Sequence, residues 1–252
     1  MLAEPERTRY DLNFRAFGFP VRIHPFFWIG SVLFGSSALD RPNGVAHLLA
    51  WVAIVFVSIL IHELGHAFAF RLFGSDSHVV LHAFGGLAIP WSAVRGRWKR
   101  IVVSLAGPFA GFILFGILFG SNFYFHWVTD ESPLLMQWVF LQLVFVNLGW
   151  GLINLLPVWP LDGGQVCEEL CSIVSPRSGR RMALQISVAV AGAFCIYSIA
   201  CMMSVRQGAD WLDALPWWLR GSLWTAFLFG LLAVQSYQVL DRLKWHENNW
   251  ER

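Results

Sequence analysis

From Val45 to Leu72 the chain carries only two formal charges, Glu63 and Arg71, in an otherwise apolar run. A helix crossing a bilayer core about 30 Å thick needs roughly 20 apolar residues, so this run spans a membrane with tilt or with a water-exposed end. Its second half contains Ile61-His62-Glu63-Leu64-Gly65-His66-Ala67. At about 3.6 residues per turn, His62 and His66 differ by roughly 40° around the helix and lie one turn apart. Both imidazoles can bind one metal ion from that face, with Zn–N distances of about 2.0–2.1 Å. Glu63 follows the first histidine, within reach of a water that such an ion would acidify. This is the zinc-hydrolase pattern H-E-x-x-H. The competing reading is a chance match on a core helix. An acidic residue at the centre of a span costs on the order of 2.5–3.5 kcal/mol even by insertion scales, so two histidines and a glutamate here need a compensating partner. A metal ion supplies one.

Composition extends the membrane reading to the whole chain. Of 252 residues, 56% are hydrophobic and 13% charged, with mean hydropathy +0.55. Soluble domains carry about 25% charged residues. The 22 phenylalanines and 14 tryptophans suit lipid-facing and interfacial surfaces. A net charge of +2, with no basic tract carrying interleaved aromatics, excludes nucleic acid as a partner. Cys167, Cys171, Cys195 and Cys201 form no C-x-x-C pair and define no disulfide framework. Cys167 and Cys171 are spaced to share a helix face, and small apolar packing accounts for them.

Residues 1–24 read as a polar, basic N-terminal segment with Arg7, Arg9, Arg15 and Arg22, and they hold no removable signal peptide. Pro25 to Leu39 is a first, short apolar run. After the turn-rich Asp40-Arg41-Pro42-Asn43-Gly44 comes the span from Val45 to Leu72. Residues 74–100 read as a hairpin, with His78–Phe84 and Leu87–Trp91 flanking the turn dipeptide Gly85-Gly86. In a strand, His78 and His82 would share a face about 13 Å apart, so they are surface or interfacial residues rather than joint ligands. A third span runs from Ile101 to Phe125, with Ala106-Gly107-Pro108 near its start. Gly111, Gly116 and Gly120 follow at near-helical spacing that predicts close helix packing. The fourth span, Leu134 to Leu156, ends in Asn154-Leu155-Leu156-Pro157-Val158-Trp159-Pro160-Leu161-Asp162-Gly163-Gly164. Two prolines and two glycines exclude a regular helix there, which holds Asp162 on an extended or broken segment. Spans five and six, Ala183 to Met203 and Trp217 to Leu240, precede a short charged tail at 241–252.

The expected fold is an all-α polytopic membrane protein of about six transmembrane helices with a short membrane-associated β-hairpin. Its catalytic core is residues 25–180, followed by spans five and six in 181–240. Basic residues concentrate on one side of this topology: Arg71, Arg95, Arg97, Lys99, Arg100, Arg177, Arg180, Arg181, Arg242 and Lys244, against Arg41, Arg206 and Arg220 on the other. The positive-inside rule then places both termini in the cytoplasm. The H-E-x-x-H segment and Asp162 fall near the cytoplasmic ends of spans two and four, at matching depth.

His-Glu-Leu-Gly-His at 62–66 and Asn-Leu-Leu-Pro-Val-Trp-Pro-Leu-Asp-Gly-Gly at 154–164 together resemble the site-2 protease family of intramembrane zinc metalloproteases, in the expected spans and order. Gly85-Gly86, Ala106-Gly107-Pro108 and Val21-Arg22-Ile23-His24-Pro25 resemble further features of its smaller bacterial members. The resemblance covers roughly residues 20 to 180. It implies one zinc ion per chain on His62, His66 and Asp162, with Glu63 activating a water as the fourth ligand. Asn154 matches an asparagine that helps hold the substrate chain, and Gly85 and Gly86 lie in a loop that pairs with unwound substrate. The chain departs from the pattern at Gly111, where relatives often carry an asparagine. The tail after Leu240 is too short for the PDZ or CBS domain of many relatives. The implied partner is a single-span membrane protein in the lipid bilayer, such as an anti-sigma-factor-like stub, and the implied location is the bacterial inner membrane.

Three protein ligands with an open position describe a catalytic rather than a structural zinc. The alternative is a non-enzymatic metal-ion carrier or metal-stabilised assembly factor. A carrier needs ligands along a path, however, and would leave Glu63 without a role.

Overall fold

The alternation Leu12, Phe14, Ala16 and Phe19, Val21, Ile23 on either side of Phe17-Gly18 is a strand pattern with a period of two. In a computed structural model, which describes residues 4–83, 85–206 and 221–250, it forms a hairpin of β1 (Leu12–Ala16) and β2 (Phe19–Ile23). This lies inside the segment that reads from sequence only as polar and basic. His24 caps the following helix, its Nδ1 accepting from the Phe26 amide at 3.3 Å, and Pro25 opens α1 (Pro25–Phe34). At about 1.5 Å per residue, ten residues reach only about half of a bilayer core. The first apolar run is therefore a half-length helix, continued by a 3₁₀ turn at Ser36–Asp40.

The long apolar run is the unbroken helix α2 (Gly44–Leu72). It leads into β3 (Ser77–His82) and β4 (Gly85–Pro90), which close a four-stranded sheet of order β1-β2-β3-β4. The expected hairpin is thus half of a larger sheet, joined to the N-terminal hairpin through parallel pairing of β2 with β3 at Val21↔Val79 and Ile23↔Leu81. Gly85 and Gly86 are not its turn. They open β4, paired with His82 and Leu81. Phe19, Val21, Ile23, Val79 and Leu81 face inward and form the core with Phe27 of α1 and Leu64 and Ala67 of α2. His78 and His82 point to the opposite face, alternating with these core residues. On that outer face Arg22 is buried and bridges Asp11 at 2.9 Å and Glu4 at 2.7 Å. Burial alone would raise the Asp11 carboxyl, but hydrogen bonds from Thr8 and Arg22 outweigh it and hold its pKa at about 2.

Within the same unit, Met1–Ile153, α3 (Arg97–Phe125) is followed by α4 (Leu134–Val144), which runs into a π-helical segment at Phe145–Trp150. Beside Gly116 and Gly120 there is open space, so the close packing their spacing suggests occurs elsewhere on α3. The second unit, Asn154–Arg252, contains α6 (Asp162–Val174), α7 (Gly179–Arg206) and α8 (Leu223–Trp250). The short helix α5 (Gly151–Asn154) ends at its first residue. Among the described residues, five helical stretches are long and apolar enough to cross a membrane: Gly44–Leu72, Arg97–Phe125, Leu134–Asn154, Gly179–Ser204 and Leu223–Trp245. The chain is an integral multi-pass membrane protein. The expected start of the last span at Trp217 lies outside the described residues.

Candidate metal centre

On α2, His62, Glu63 and His66 are all buried. The Nε2 atoms of His62 and His66 lie 3.2 Å apart. Two nitrogen ligands at about 2.0–2.1 Å from a tetrahedral cation are separated by roughly 3.3 Å, so the pair is spaced as a chelate. The opposite edge of the His66 ring settles its tautomer. Nδ1 lies 2.7 Å from the Val103 carbonyl of α3, and a carbonyl can only accept. Nδ1–H therefore donates, and the Nε2 lone pair faces His62. A backbone carbonyl in this role orients an imidazole ligand and raises its basicity.

Gly107 completes the cradle. A Cβ placed on it would collide with Nε2 and Cε1 of His66 and lie 2.8 Å from Nε2 of His62. The backbone of α3 thus comes against the donor atoms of both rings, leaving a space that a side chain would fill. Donor identity, spacing and cradle all fit a bound divalent cation. In sequence, Ala106-Gly107-Pro108 carries only a signal of small residues; its role against the histidines appears once α3 is packed on α2.

Gly86 does for Glu63 what Gly107 does for the histidines. A Cβ at Gly86 would strike the Glu63 side chain, approaching Cδ and Oε1 to 2.7 Å. The first residues of β4 therefore lie directly over the carboxyl group. Leu64, within the motif, and Ala67, just after it, are the buried α2 residues in the core shared with the sheet. The sheet is thus seated over Glu63 by the same helix that carries it. β4 is the outer strand of the sheet, with β3 on one side only.

At Gly111, where the asparagine is missing, α3 meets the π segment. A Cβ there would sit 3.2 Å from the Asn147 carbonyl oxygen. Asn147 is buried and donates from Nδ2 to Ser58 Oγ of α2 at 3.0 Å and to the Leu143 carbonyl at 2.8 Å. The buried asparagine at this point of the packing thus comes from the helix that faces Gly111 and bonds to α2. π segments supply such side-chain reorientation and are frequent near functional sites. Sequence alone does not single out Asn147, which reads as an isolated polar residue in an apolar span.

In the second unit Asp162 is buried and opens α6, rather than lying on extended chain. Helix N-termini favour a carboxylate. The irregular stretch from Leu155 to Leu161 folds tightly over that first turn. Backbone atoms of Leu155, Leu156, Val158 and Trp159 occupy the space where side chains at Gly163 and Gly164 would stand. The stretch is pinned from two spans. Ser187 Oγ of α7 accepts from the Trp159 amide at 3.0 Å and donates to Ala183, and Ser236 Oγ of α8 donates to the Trp159 carbonyl at 3.0 Å. Neither serine carries a signal readable from sequence. Asn154, the remaining sequence candidate, is buried at the end of α5. Cys167 and Cys171 share a face of α6, with Sγ atoms 3.9 Å apart.

A sequence profile for Peptidase family M50 matches residues 124–198, which include Asn154 and Asp162. The chain is similar to Stage IV sporulation protein FB of Bacillus subtilis, 30% identical over 225 residues, covering 86% of this chain and 65% of that protein. It is 29% identical over 161 residues to Zinc metalloprotease MJ0392 of Methanocaldococcus jannaschii, covering 63% of this chain and 44% of the relative. Putative zinc metalloprotease sll0528 of Synechocystis is 27% identical over 218 residues, covering 81% and 56%. The chain thus spans 44–65% of the length of these three relatives. Among solved structures, the Site-2 Protease from Methanocaldococcus jannaschii shares the fold, with TM-score 0.55 at 20% identity over 91% of this chain and 94% of that one.

Proposed function

We propose that the chain is an intramembrane zinc metalloprotease of the Peptidase M50 (site-2 protease) type, the family whose profile it matches over residues 124–198 and whose fold it shares. Its substrates are peptide bonds within or beside the transmembrane segments of membrane proteins. The observation that carries this reading is the chelating pair itself. Two imidazole Nε2 atoms stand 3.2 Å apart inside a membrane-spanning helix, with the buried Glu63 adjacent in sequence.

His62, His66 and Asp162 would hold one zinc ion per chain. When bound, zinc lowers the pKa of a water to about 7 and polarises a carbonyl oxygen. The Glu63 carboxylate takes the proton of the attacking water and returns it to the leaving amine nitrogen. Val103 and Gly107 hold the imidazoles in place, and Gly86 leaves the Glu63 carboxyl room beneath β4. A metal-ion carrier would have no use for a carboxylate in that position.

A peptide carbonyl in an intact helix is occupied by the amide four residues on, so a helical substrate has to unwind before attack. Strand addition along β4 would replace the backbone hydrogen bonds lost. Asn154, Gly85 and Gly86 are the proposed substrate contacts, and the substrate class is a single-span membrane protein such as an anti-sigma-factor-like stub. The proposed location is a bacterial inner membrane, with both termini cytoplasmic and the site near the cytoplasmic side.

Metal analysis with a cleavage assay tests the centre. The native chain is expected to carry one zinc, His66→Ala to lose most of it, and Asp162→Asn to bind it more weakly, because a neutral amide is a poorer ligand for a dication than a carboxylate. Full occupancy and normal turnover in Asp162→Asn would remove that residue from the ligand set. Ala88→Pro tests the edge. It deletes an N–H from β4 and distorts the strand. Cleavage of a helical transmembrane substrate should fall, cleavage of a short extended peptide should fall less, and zinc should stay unchanged. Native cleavage of the helical substrate by this variant would refute strand addition.

A further inference from the structure

The sheet has a second outer strand, β1, at the end opposite β4, and its side chains are unusual for a free edge. The register pairs Leu12 with Ile23, Phe14 with Val21 and Ala16 with Phe19. Directly opposed residues share a face, so Leu12 and Phe14 project from the same side of the sheet as the core. Ala16 is covered by that core, but the cover ends there. Phe14 is 38% exposed, Leu12 54% and the turn residue Phe17 76%. Phe17 also adopts φ 50, ahead of Gly18 at φ 84. Turns of this hand favour asparagine, aspartate or glycine at both central positions, so a bulky ring at the tip is retained against local preference.

What surrounds the tip indicates its occupant. Phe17 packs on Phe68 of α2, ring centroids 6.1 Å apart, and Phe68 is itself exposed on the outer surface of a membrane span. The apolar strip from Leu12 to Phe17 is therefore continuous with a lipid-facing surface, one turn from the polar end of α2. Three guanidinium groups lie at or next to the hairpin. Arg71 Nη1 donates to the Phe17 carbonyl at 3.3 Å, its guanidinium lies 3.6 Å from the centroid of the Phe19 ring, and its Nε is 3.6 Å from Asp76. Arg15 reaches the Gly18 carbonyl at 3.5 Å, and Arg9 lies over the Tyr10 ring at 4.8 Å. Exposed apolar rings bordered by arginines at the end of a span match the boundary between acyl chains and anionic headgroups.

We propose that the β1–β2 hairpin is a membrane-interface anchor. Leu12, Phe14 and Phe17 enter the acyl boundary, while Arg9, Arg15 and Arg71 engage the phosphates of anionic phospholipids. Because β1 and β4 belong to one sheet, the anchor sets the depth at which the outer strand beside Glu63 is presented. The assignment stands on the hairpin alone and does not depend on the proteolytic reading.

Nitroxide labels test it on the full chain, with Cys167, Cys171, Cys195 and Cys201 replaced by alanine. Phe17→Cys and Asn13→Cys are labelled and reconstituted in phosphatidylcholine vesicles with or without phosphatidylglycerol. The label at position 17 should be relaxed by oxygen and shielded from a water-soluble nickel chelate. The label at position 13, on the outer face, should show the reverse. Adding Arg9→Glu with Arg15→Glu should raise nickel access at position 17 several-fold when phosphatidylglycerol is present, and change little in phosphatidylcholine alone. Equal nickel access at the two positions, or no dependence on lipid charge, overturns the proposal. A position 17 label shielded from both reagents also overturns it, because the cover is then protein. If the cysteine-free chain does not fold, hydrogen exchange of the native chain in nanodiscs gives the same reading. Slower exchange over residues 9–19 with phosphatidylglycerol supports the anchor, and equal exchange in the two lipids overturns it.

Discussion

Glu63→Gln is expected to keep its fold and its zinc while cleavage of a single-span substrate falls by about 10²–10⁴-fold, the range attributed to a general acid–base group. The amide has the shape of the carboxylate, so it still fits beneath Gly86, where space is limited on the Cδ and Oε1 side. What it cannot do is accept a proton from water. Glu63 is not among the proposed ligands, so metal content and thermal stability should match the native chain. The measurement is turnover of a purified substrate in detergent, paired with metal analysis of the same sample. Turnover near the native rate would show that another group moves the proton. Loss of zinc together with activity would instead make Glu63 a ligand.

The second large effect is expected at a residue with no functional group. Gly107→Ala adds one methyl group at the point where α3 touches both imidazoles. The rings must turn or α3 must withdraw, and either separates the Nε2 pair or breaks the bond from His66 Nδ1 to the Val103 carbonyl. Disturbing a partner that orients a metal ligand costs about 10–100-fold in affinity or activity, and direct overlap with the donor atoms should cost at least as much. Gly116→Ala, on the same helix but facing open space, is the control. It should leave zinc and activity unchanged, and by restricting the unfolded chain it should stabilise the helix by about 0.5–1 kcal/mol. Competitive chelation with a coloured zinc indicator separates the two variants. Equal zinc affinity in both would mean that the cradle yields to the methyl group.

Features that depend on neighbours in the chain are legible in the amino-acid sequence. His62, Glu63 and His66 share one helix face because 3.6-residue periodicity is a local property, and hydropathy locates the long spans because a bilayer requires a minimum apolar length. The irregular chain before Asp162 is readable from Pro157, Pro160, Gly163 and Gly164 for the same local reason. The N-terminal hairpin is legible in principle, through the alternation of Leu12–Ala16 and Phe19–Ile23, but the surrounding arginines obscure it.

Contacts between residues far apart in the chain are not readable, because no local preference encodes them. Pairing of Val21 with Val79 makes β3 an interior strand. That alone decides that, of β3 and β4, Gly85–Pro90 is the one with a free edge, so a proline at Leu81 would disrupt the core instead. Gly86 reads as a turn glycine, yet its small size serves the approach of β4 to Glu63. Gly111 reads as a packing glycine, and that it packs against the backbone of Asn147 appears only once the helices are placed. In each case the sequence carries the residue, and the partner that gives it meaning comes from another helix or strand. The identity of the chemical groups is a property of the chain; the space left around them is decided by packing, since close-packed interiors register the presence or absence of a single methyl group.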